Sequence, residues 1–190
     1  MNIPKNGYEQ AVLSLAPIET DMTLEEFLQS DLEGYEYVKG KLIPMAPPTM
    51  EHGDISMNLS FLLSLHVREN QLGRLYPADT DFKLGYRLVK PDIAFVSTAR
   101  LPENRRQVSP VPPDLAVEVV SPTDIQYRVT EKAFAYLNAG TRLVWIVEPV
   151  GKTVTVYRSE IDIKMLTCTD TLSGEDVVEG FSCQVAQLFE

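Results

Sequence analysis

The chain has 190 residues, of which 44% are hydrophobic, and a formal net charge of −10 at pH 7. This size and composition predict one domain over residues 1–190 with a sizeable core. No apolar run approaches the roughly 18–20 residues of a membrane span, and the first ten residues lack the apolar core of a secretory signal. The two cysteines, Cys168 and Cys183, form no metal or redox motif, so we expect a cytoplasmic protein without membrane contact.

The charge is unevenly distributed along the chain. Six basic and two acidic residues lie between positions 83 and 106, whereas seven acidic residues and one lysine lie between 159 and 190. An acidic protein does not usually bind nucleic acid through its general surface. A nucleic-acid contact through the basic middle segment is one interpretation of this pattern. The simpler interpretation is that the charges lie on a solvated loop and a solvated tail.

Spacing and capping signals predict helices and strands in alternation. In chain order, we expect an N-terminal arm over 1–20, a short helix with a Thr23/Glu26 capping box, a hairpin over 35–45, a helix over 50–68 and a strand near 80–85. The expected buried face of the long helix carries Ile55, Leu59, Leu62 and His66.

The second half of the chain continues the alternation, with a strand over 89–97 that has a proline at its entrance, a proline-rich loop over 102–113 and a core strand over 114–121. A helix with a Thr123/Gln126 capping box and a Gly140 C-cap follows, and then strands over 143–149 and 153–158. This order predicts an α/β or α+β domain with a mixed sheet.

Two carboxylates interrupt the predicted core strands. Glu118 lies within the aliphatic run LAVEVV, and Asp92 opens the strand DIAFVS. Strand alternation gives each acid an alanine two residues away on its own face, Ala94 or Ala116, which leaves space beside the carboxylate. Two such carboxylates would repel each other, and a divalent cation such as Mg²⁺ or Mn²⁺ between them would remove that repulsion. For Glu118, an ion pair with an arginine or a place at the end of the sheet is the alternative.

Three further polar residues are candidates for the same site. Lys132 lies at the edge of an apolar stripe on the helix that leaves the Glu118 strand, so its ammonium could reach the carboxylates. Its alternative is a lysine stem along the core with the charged end in water. His52 shares a helix face with Leu59, and Glu36 lies in the first strand of the hairpin. Both also fit residues without a catalytic role.

The order of these motifs resembles a known family. The segments YEYVKGKLIPM, EHGDISMNLS, KPDIAFVS, DLAVEVVSPTD, EKAFAYLNAGTRLVWIVEP and TVTVYR follow one another from about Thr23 to the C-terminus. Together they resemble the Uma family of restriction-endonuclease-like proteins, within the PD-(D/E)XK nuclease superfamily. The resemblance implies a restriction-endonuclease-like core, in which helices flank a mixed central sheet.

The resemblance also implies a metal site. Asp92 and Glu118 match the two acids of the superfamily motif, and the backbone carbonyl of Val119 would be a further Mg²⁺ ligand. The lysine position of the Glu-x-Lys motif is Val120 here, and the family supplies the lysine from the following helix, where Lys132 fits. Glu36 and His52 match other polar positions that the family places near the site.

The implied activity is Mg²⁺-dependent hydrolysis of phosphodiester bonds in nucleic acid, with DNA as the expected substrate and Mn²⁺ as a substitute metal. Arg105 and Arg106, in the loop between the two acidic strands, would hold the substrate backbone. Nucleases of this fold often act as dimers, so a homodimer is expected. A catalytically inactive module that binds nucleic acid or protein is the main alternative, because a fold does not fix a function. A hydrolase acting on another phosphate ester is also open.

Overall fold

The structure is a computed structural model that describes residues 3–14 and 16–190. Within these ranges the chain forms four α-helices, thirteen β-strands and two 3-10 helices. The α-helices are α1 (Gly7–Leu13), α2 (Leu24–Leu28), α3 (Met50–Glu69) and α4 (Gln126–Ala139), and the 3-10 helices are Thr98–Arg100 and Val185–Phe189. The strands are β1 (Ile18–Glu19), β2 (Tyr35–Val38), β3 (Lys41–Pro44), β4 (Gly73–Pro77), β5 (Phe82–Leu84), β6 (Arg87–Val89), β7 (Ile93–Ser97), β8 (Leu115–Val119), β9 (Leu143–Glu148), β10 (Thr153–Tyr157), β11 (Ile163–Leu166), β12 (Thr171–Ser173) and β13 (Ser182–Gln184).

A six-stranded mixed sheet forms the centre of the molecule, in the order β11-β10-β9-β8-β7-β4. Strands β8 and β9 run parallel, and the other neighbouring pairs of this sheet run antiparallel. Alternation along β8 turns Val117 toward a core cluster that includes Leu59 of α3, and Ala116 toward a cluster that includes Ala133 of α4. Helices α3 and α4 therefore cover opposite faces, which confirms the predicted mixed sheet flanked by helices.

A second, antiparallel sheet has the strand order β1-β3-β2-β6-β5 and was not predicted. The expected strand over 89–97 is divided at Pro91-Asp92, so that β6 belongs to the small sheet and β7 to the large one. A proline has no N–H for a ladder hydrogen bond, which accounts for the interruption. In β2, Tyr35 and Tyr37 pack in the small sheet's own core with α2, so the intervening Glu36 faces the opposite side.

Several other predicted features differ in detail. The Thr123/Gln126 capping box is wrong, because Asp124 accepts the Ser121 N–H at 2.7 Å in a turn of its own and α4 begins one residue after the N-cap Ile125. The predicted Gly140 C-cap is confirmed, with a φ of 103°.

In α3, Leu63 and Val67 complete the fully buried face, whereas the predicted Leu62 and His66 are only partly buried, and Leu62 packs at the edge of the same core. The predicted N-terminal arm contains α1 and β1, and Met1, Asn2 and Leu15 of that arm lie outside the described residues.

The proline-rich loop is anchored at Asp114. Residues 102–113 contain no helix or strand, and Ser109 forms an isolated β-bridge with Phe82. The Asp114 carboxylate is buried, accepts the Ser97 N–H at 2.8 Å and pairs with Arg100 at 2.6 Å.

No helix among residues 3–14 and 16–190 is long and apolar enough to cross a membrane.

The Asp114 ion pair makes a pH-dependent contribution to stability. Burial raises the pKa of Asp114, but the hydrogen bonds from Ser97 and Arg100 outweigh it and hold this pKa below its ordinary value. The pKa is lower in the folded chain than in the unfolded chain, where it is about 3.9. The stabilisation is therefore present above about pH 4 and lost as the pH falls through the folded value.

We expect Asp114→Asn to lower the free energy of unfolding at pH 7 by about 1.5–3 kcal/mol, because a charged hydrogen-bond acceptor is lost. The difference from the wild-type chain should shrink below about pH 4. Urea unfolding between pH 3 and pH 7 measures both quantities, with the exposed Asp176→Asn as the control. A difference that stays constant over this pH range would show that the ion pair is not its source.

Candidate active site

A cleft of about 310 Å³ opens between the two sheets. Its walls come from β2 and β3 of the small sheet, the end of β8, the first turn of α3 and the first half of α4. The structure brings six predicted site residues into its lining, which are Glu36, His52, Asp92, Glu118, Val119 and Lys132. The five polar side chains of this set are only 9–17% exposed, so their mutual interactions are partly shielded from water.

Lys132 lies between two carboxylates from different sheets. Its Nζ is 2.8 Å from Glu118 Oε2 in the large sheet and 2.5 Å from Glu36 Oε1 in the small sheet. Burial lowers the pKa of the Lys132 ammonium, but Glu118 and Glu36 outweigh it and raise this pKa above the ordinary value. The expected reach of Lys132 to the carboxylates is therefore present, and the alternative of a lysine extended into solvent is wrong.

Glu118 has a hydrogen-bond partner on each carboxylate oxygen. Lys132 donates to Oε2, and the Tyr136 hydroxyl donates to Oε1 at 2.6 Å. Burial raises the pKa of Glu118 to about 8 against the effect of Lys132, and the neighbouring Asp92 and Glu36 add to the rise. Two carboxylates thus contact Lys132 and a third, Asp92, lies against His52, so an added cation would reduce the repulsion among the three acids.

Asp92 connects the end of β8 to α3. Its Oδ2 accepts the Val119 N–H at 2.7 Å and lies 3.2 Å from His52 Nε2. The hydrogen bond with Asp92 raises the pKa of His52 above its ordinary value. The N-cap Thr49 accepts the His52 N–H, which fixes the start of α3 beside the cleft.

The register of the strands directs the Val119 carbonyl toward Asp92. Val120 donates its N–H to the Val147 carbonyl at 2.9 Å, so Val119 turns its own N–H and carbonyl toward the β7 side. The antiparallel register there places Pro91 opposite Val119, and proline has no N–H to donate. The Val119 carbonyl and the Asp92 carboxylate consequently lie at the same edge of the sheet.

Sequence reasoning missed two polar residues of the cluster. Helical spacing puts Tyr136 on the apolar stripe of α4, yet its hydroxyl donates a hydrogen bond to Glu118. Its position four residues after Lys132, on the same helix face, was the available signal. Asp124 lines the cleft, and burial raises its pKa. The Ser-x-x-Asp spacing from Ser121 was the signal for its turn.

The predicted substrate-binding arginines lie apart from this cluster. Arg105 and Arg106 are exposed in the 102–113 loop, and neither lines the cleft. The cleft has its own basic side chains, which are Lys41, Arg87, Lys90, Arg128 and Lys132. They equal in number its five carboxylates, which are Glu36, Asp92, Glu118, Asp124 and Glu131.

The donor set fits a hard divalent cation. Asp92, Glu118 and the Val119 carbonyl provide oxygen donors, and Mg²⁺ binds proteins through one or two carboxylates while keeping several waters. In the part of the chain that the structure describes, no three His, Cys, Asp or Glu side chains form a metal-binding cluster. A cation here would accordingly need the Val119 carbonyl and further oxygen ligands, such as water, to complete its coordination.

Lys132 should be essential for the stability of the cleft. We expect Lys132→Met to lower the free energy of unfolding by about 3 kcal/mol, because it leaves Glu118 and Glu36 partly buried without a counter-charge. Glu118→Gln should stay within about 1 kcal/mol of the wild-type chain or exceed it, because Lys132 keeps Glu36 and one repelling carboxylate is gone.

Urea unfolding checks both variants, and the double variant Lys132→Met/Glu118→Gln should lose less stability than Lys132→Met alone. Lys164→Met, at an exposed position of β11, is the control and should change stability by less than about 0.5 kcal/mol. Unfolding of the chain by Glu118→Gln would instead identify Glu118 as a purely structural ion-pair partner.

Comparison with known proteins places the chain in a family. A solved structure described as a putative nuclease belonging to DUF820 from Anabaena variabilis ATCC 29413 superposes with a TM-score of 0.81 at 24% identity. The alignment covers 88% of this chain and 97% of that one, and it shows a shared fold. No curated protein matches the chain. The family model Uma2, described as "Putative restriction endonuclease", matches residues 24–186, and the chain therefore belongs to the Uma2 family.

Proposed function

We propose that this protein is a metal-dependent nuclease that hydrolyses phosphodiester bonds, with DNA as its substrate. The observation that carries this proposal is the convergence of Asp92, Glu118 and Lys132 in one cleft between the two sheets. Family membership supports nuclease chemistry, and the oxygen donors support a divalent metal. A cytoplasmic location and a homodimer belong to the same proposal.

Asp92, Glu118 and the Val119 carbonyl would hold Mg²⁺ or Mn²⁺. The metal would supply an activated water and neutralise charge on the phosphate. Lys132, fixed between Glu118 and Glu36, would stabilise negative charge on the attacking or phosphate oxygen. Glu36 would hold the lysine stem in that position.

His52 would orient Asp92, because its ring lies against the carboxylate oxygen that also accepts the Val119 N–H. The Tyr136 hydroxyl would orient Glu118 in the same way. Both residues restrict the rotation of a carboxylate, and a fixed donor set favours rapid phosphodiester cleavage.

The substrate backbone would lie along the basic side chains of the cleft. Arg128, in the first turn of α4, forms no ion pair within the described residues, and its guanidinium lies by the exposed Tyr127 ring. Lys90 is 4.0 Å from Asp81, a separation that leaves its ammonium available to a phosphate. Arg105 and Arg106 would contact the backbone farther from the reacting bond.

One observation favours the second candidate function, an inactive nuclease-fold module. Lys132 already neutralises part of the carboxylate charge, so the cluster is compatible with a folded chain that never binds a metal. Such a module would bind nucleic acid or protein without cleaving it. Metal binding separates the two functions.

Titration calorimetry with Mn²⁺ tests the metal site. We expect binding by the wild-type chain and its loss in Asp92→Asn and Glu118→Gln, because each variant removes a charged ligand. Asp176→Asn, whose carboxylate lies outside the cleft lining, should bind Mn²⁺ like the wild type. Cleavage of DNA and RNA oligonucleotides should require the same two acids, and Lys132→Met should reduce the rate by about 100–1,000-fold.

The titration is then repeated with a DNA oligonucleotide, since phosphate oxygens can complete the ligand set. If Mn²⁺ still failed to bind, the inactive module would replace the nuclease. Binding that survived in both acid variants would place the metal elsewhere and contradict the assigned ligands.

The salt dependence of DNA binding tests the phosphate contacts. In an uncleaving Glu118→Gln background, Arg128→Ala should weaken binding for every sequence and reduce the salt slope by about 1, because one phosphate contact is lost. The double variant Arg105→Ala/Arg106→Ala measures the contribution of the 102–113 loop to DNA binding in the same assay. Arg142→Ala, on the C-terminal side of α4 and outside the cleft, serves as the control. An unchanged slope in Arg128→Ala would remove this residue from the substrate path.

A further inference from the structure

Helix α3 is apolar on two opposite faces. Ile55, Leu59, Leu63 and Val67 are at most 2% exposed and pack on the large sheet. The opposite face also carries large apolar side chains, and these are in water, with Met57 67%, Phe61 66% and Leu65 50% exposed. An apolar helix face is normally covered by another element, so the second apolar face of α3 lacks a cover within the described chain.

The exposed residues form one continuous band, which we call the outer stripe. At 100° per residue its members fall within an arc of about 80° on the helix surface. They are Met50, Asp54, Met57, Phe61, Leu65 and Arg68. Contiguous exposed apolar surface of this kind marks an interaction site.

The outer stripe is self-complementary about Phe61. Asp54 lies seven residues before Phe61 and Arg68 seven residues after it, while Met57 and Leu65 lie four residues before and after. A second copy of α3, antiparallel and related by a two-fold axis at Phe61, would place Asp54 against Arg68 of the other copy. It would also place Met57 against Leu65. A parallel arrangement would bring like charges together instead.

Charge further favours a second copy over other partners. Neither Asp54 nor Arg68 forms an ion pair among residues 3–14 and 16–190, so both charges are available. The stripe has one acid and one base in a chain of net charge −10, so two copies can meet there with little repulsion. A membrane-surface helix would need a Lys/Arg-rich border, and a single arginine does not provide one.

We propose that the outer stripe of α3 is the interface of a two-fold symmetric homodimer, in which the two α3 helices pack antiparallel. His52 lies nine residues before Phe61 on the inner face, so the dimer leaves both clefts open. The two histidines would be separated by about 27 Å along the helix direction. The proposal assigns a surface to the homodimer named under the proposed function. It stands on the surface of α3, so the absence of nuclease activity would not contradict it.

Analytical ultracentrifugation of the full chain gives the first test. The wild-type chain, 21.3 kDa as a monomer, should sediment as a dimer. Phe61→Ser should raise the dissociation constant at least about 30-fold, because the central aromatic contact is lost. Tyr86→Ser, which removes another exposed aromatic ring away from α3, should leave the dimer intact. A wild-type chain that stays monomeric up to about 100 µM overturns the proposal.

Charge reversal tests the antiparallel arrangement itself. Asp54→Arg alone and Arg68→Asp alone should each weaken the dimer, because each brings like charges together at both ends of the interface. An equimolar mixture of the two variants should recover dimerisation as a heterodimer, in which both ends pair opposite charges. Circular dichroism confirms that each variant is folded. Failure of the mixture to recover the dimer overturns the antiparallel interface.

Discussion

The ammonium of Lys132 is the interaction on which the arrangement of the cleft depends. It binds Glu118 at the end of the large sheet and Glu36 in the small sheet, and therefore connects two layers that have separate cores. Without this cation the two carboxylates would face each other partly buried, which is costly at low dielectric. The same contact that joins the sheets also holds the lysine beside the proposed metal ligands. Lys132 thus contributes both to the stability of the fold and to the proposed chemistry.

The Pro91-Asp92 dipeptide likewise affects both the fold and the candidate site. It ends β6 in the small sheet and starts β7 in the large one, so it lies where the chain passes between the two layers. Pro91 has no N–H to donate to the Val119 carbonyl, so the ladder opens at this point, and the Val119 N–H donates to the Asp92 carboxylate. The interruption of the sheet therefore creates the oxygen-rich edge. A residue with an N–H at position 91 could close the ladder and withdraw that carbonyl.

Local patterns predicted much of this molecule, and long-range packing explains what they missed. The core strands around Asp92 and Glu118 and the helix that carries Lys132 follow from hydrophobic alternation and helical spacing, which act over a few residues. The small sheet was missed because its central pairing joins the hairpin to β6, about fifty residues later, and no local signal encodes that pairing. The contact of Glu36 with Lys132 has the same origin. The Thr123/Gln126 capping box failed for a local reason, because Asp124 offered Ser121 a competing turn.

The distribution of charge resolves the apparent conflict between an acidic chain and the anionic substrate of the proposed function. The cleft contains equal numbers of carboxylates and of lysine and arginine side chains. Its formal charge is therefore balanced, although the whole chain has a net charge of −10. A divalent cation would make that balance positive at the point where the proposed substrate phosphate would bind. Under the proposed function, acidic surface away from the cleft and from the Arg105/Arg106 loop would repel DNA and disfavour non-specific binding. On this argument the negative net charge would restrict where nucleic acid binds, and the balanced charge of the cleft would favour binding there.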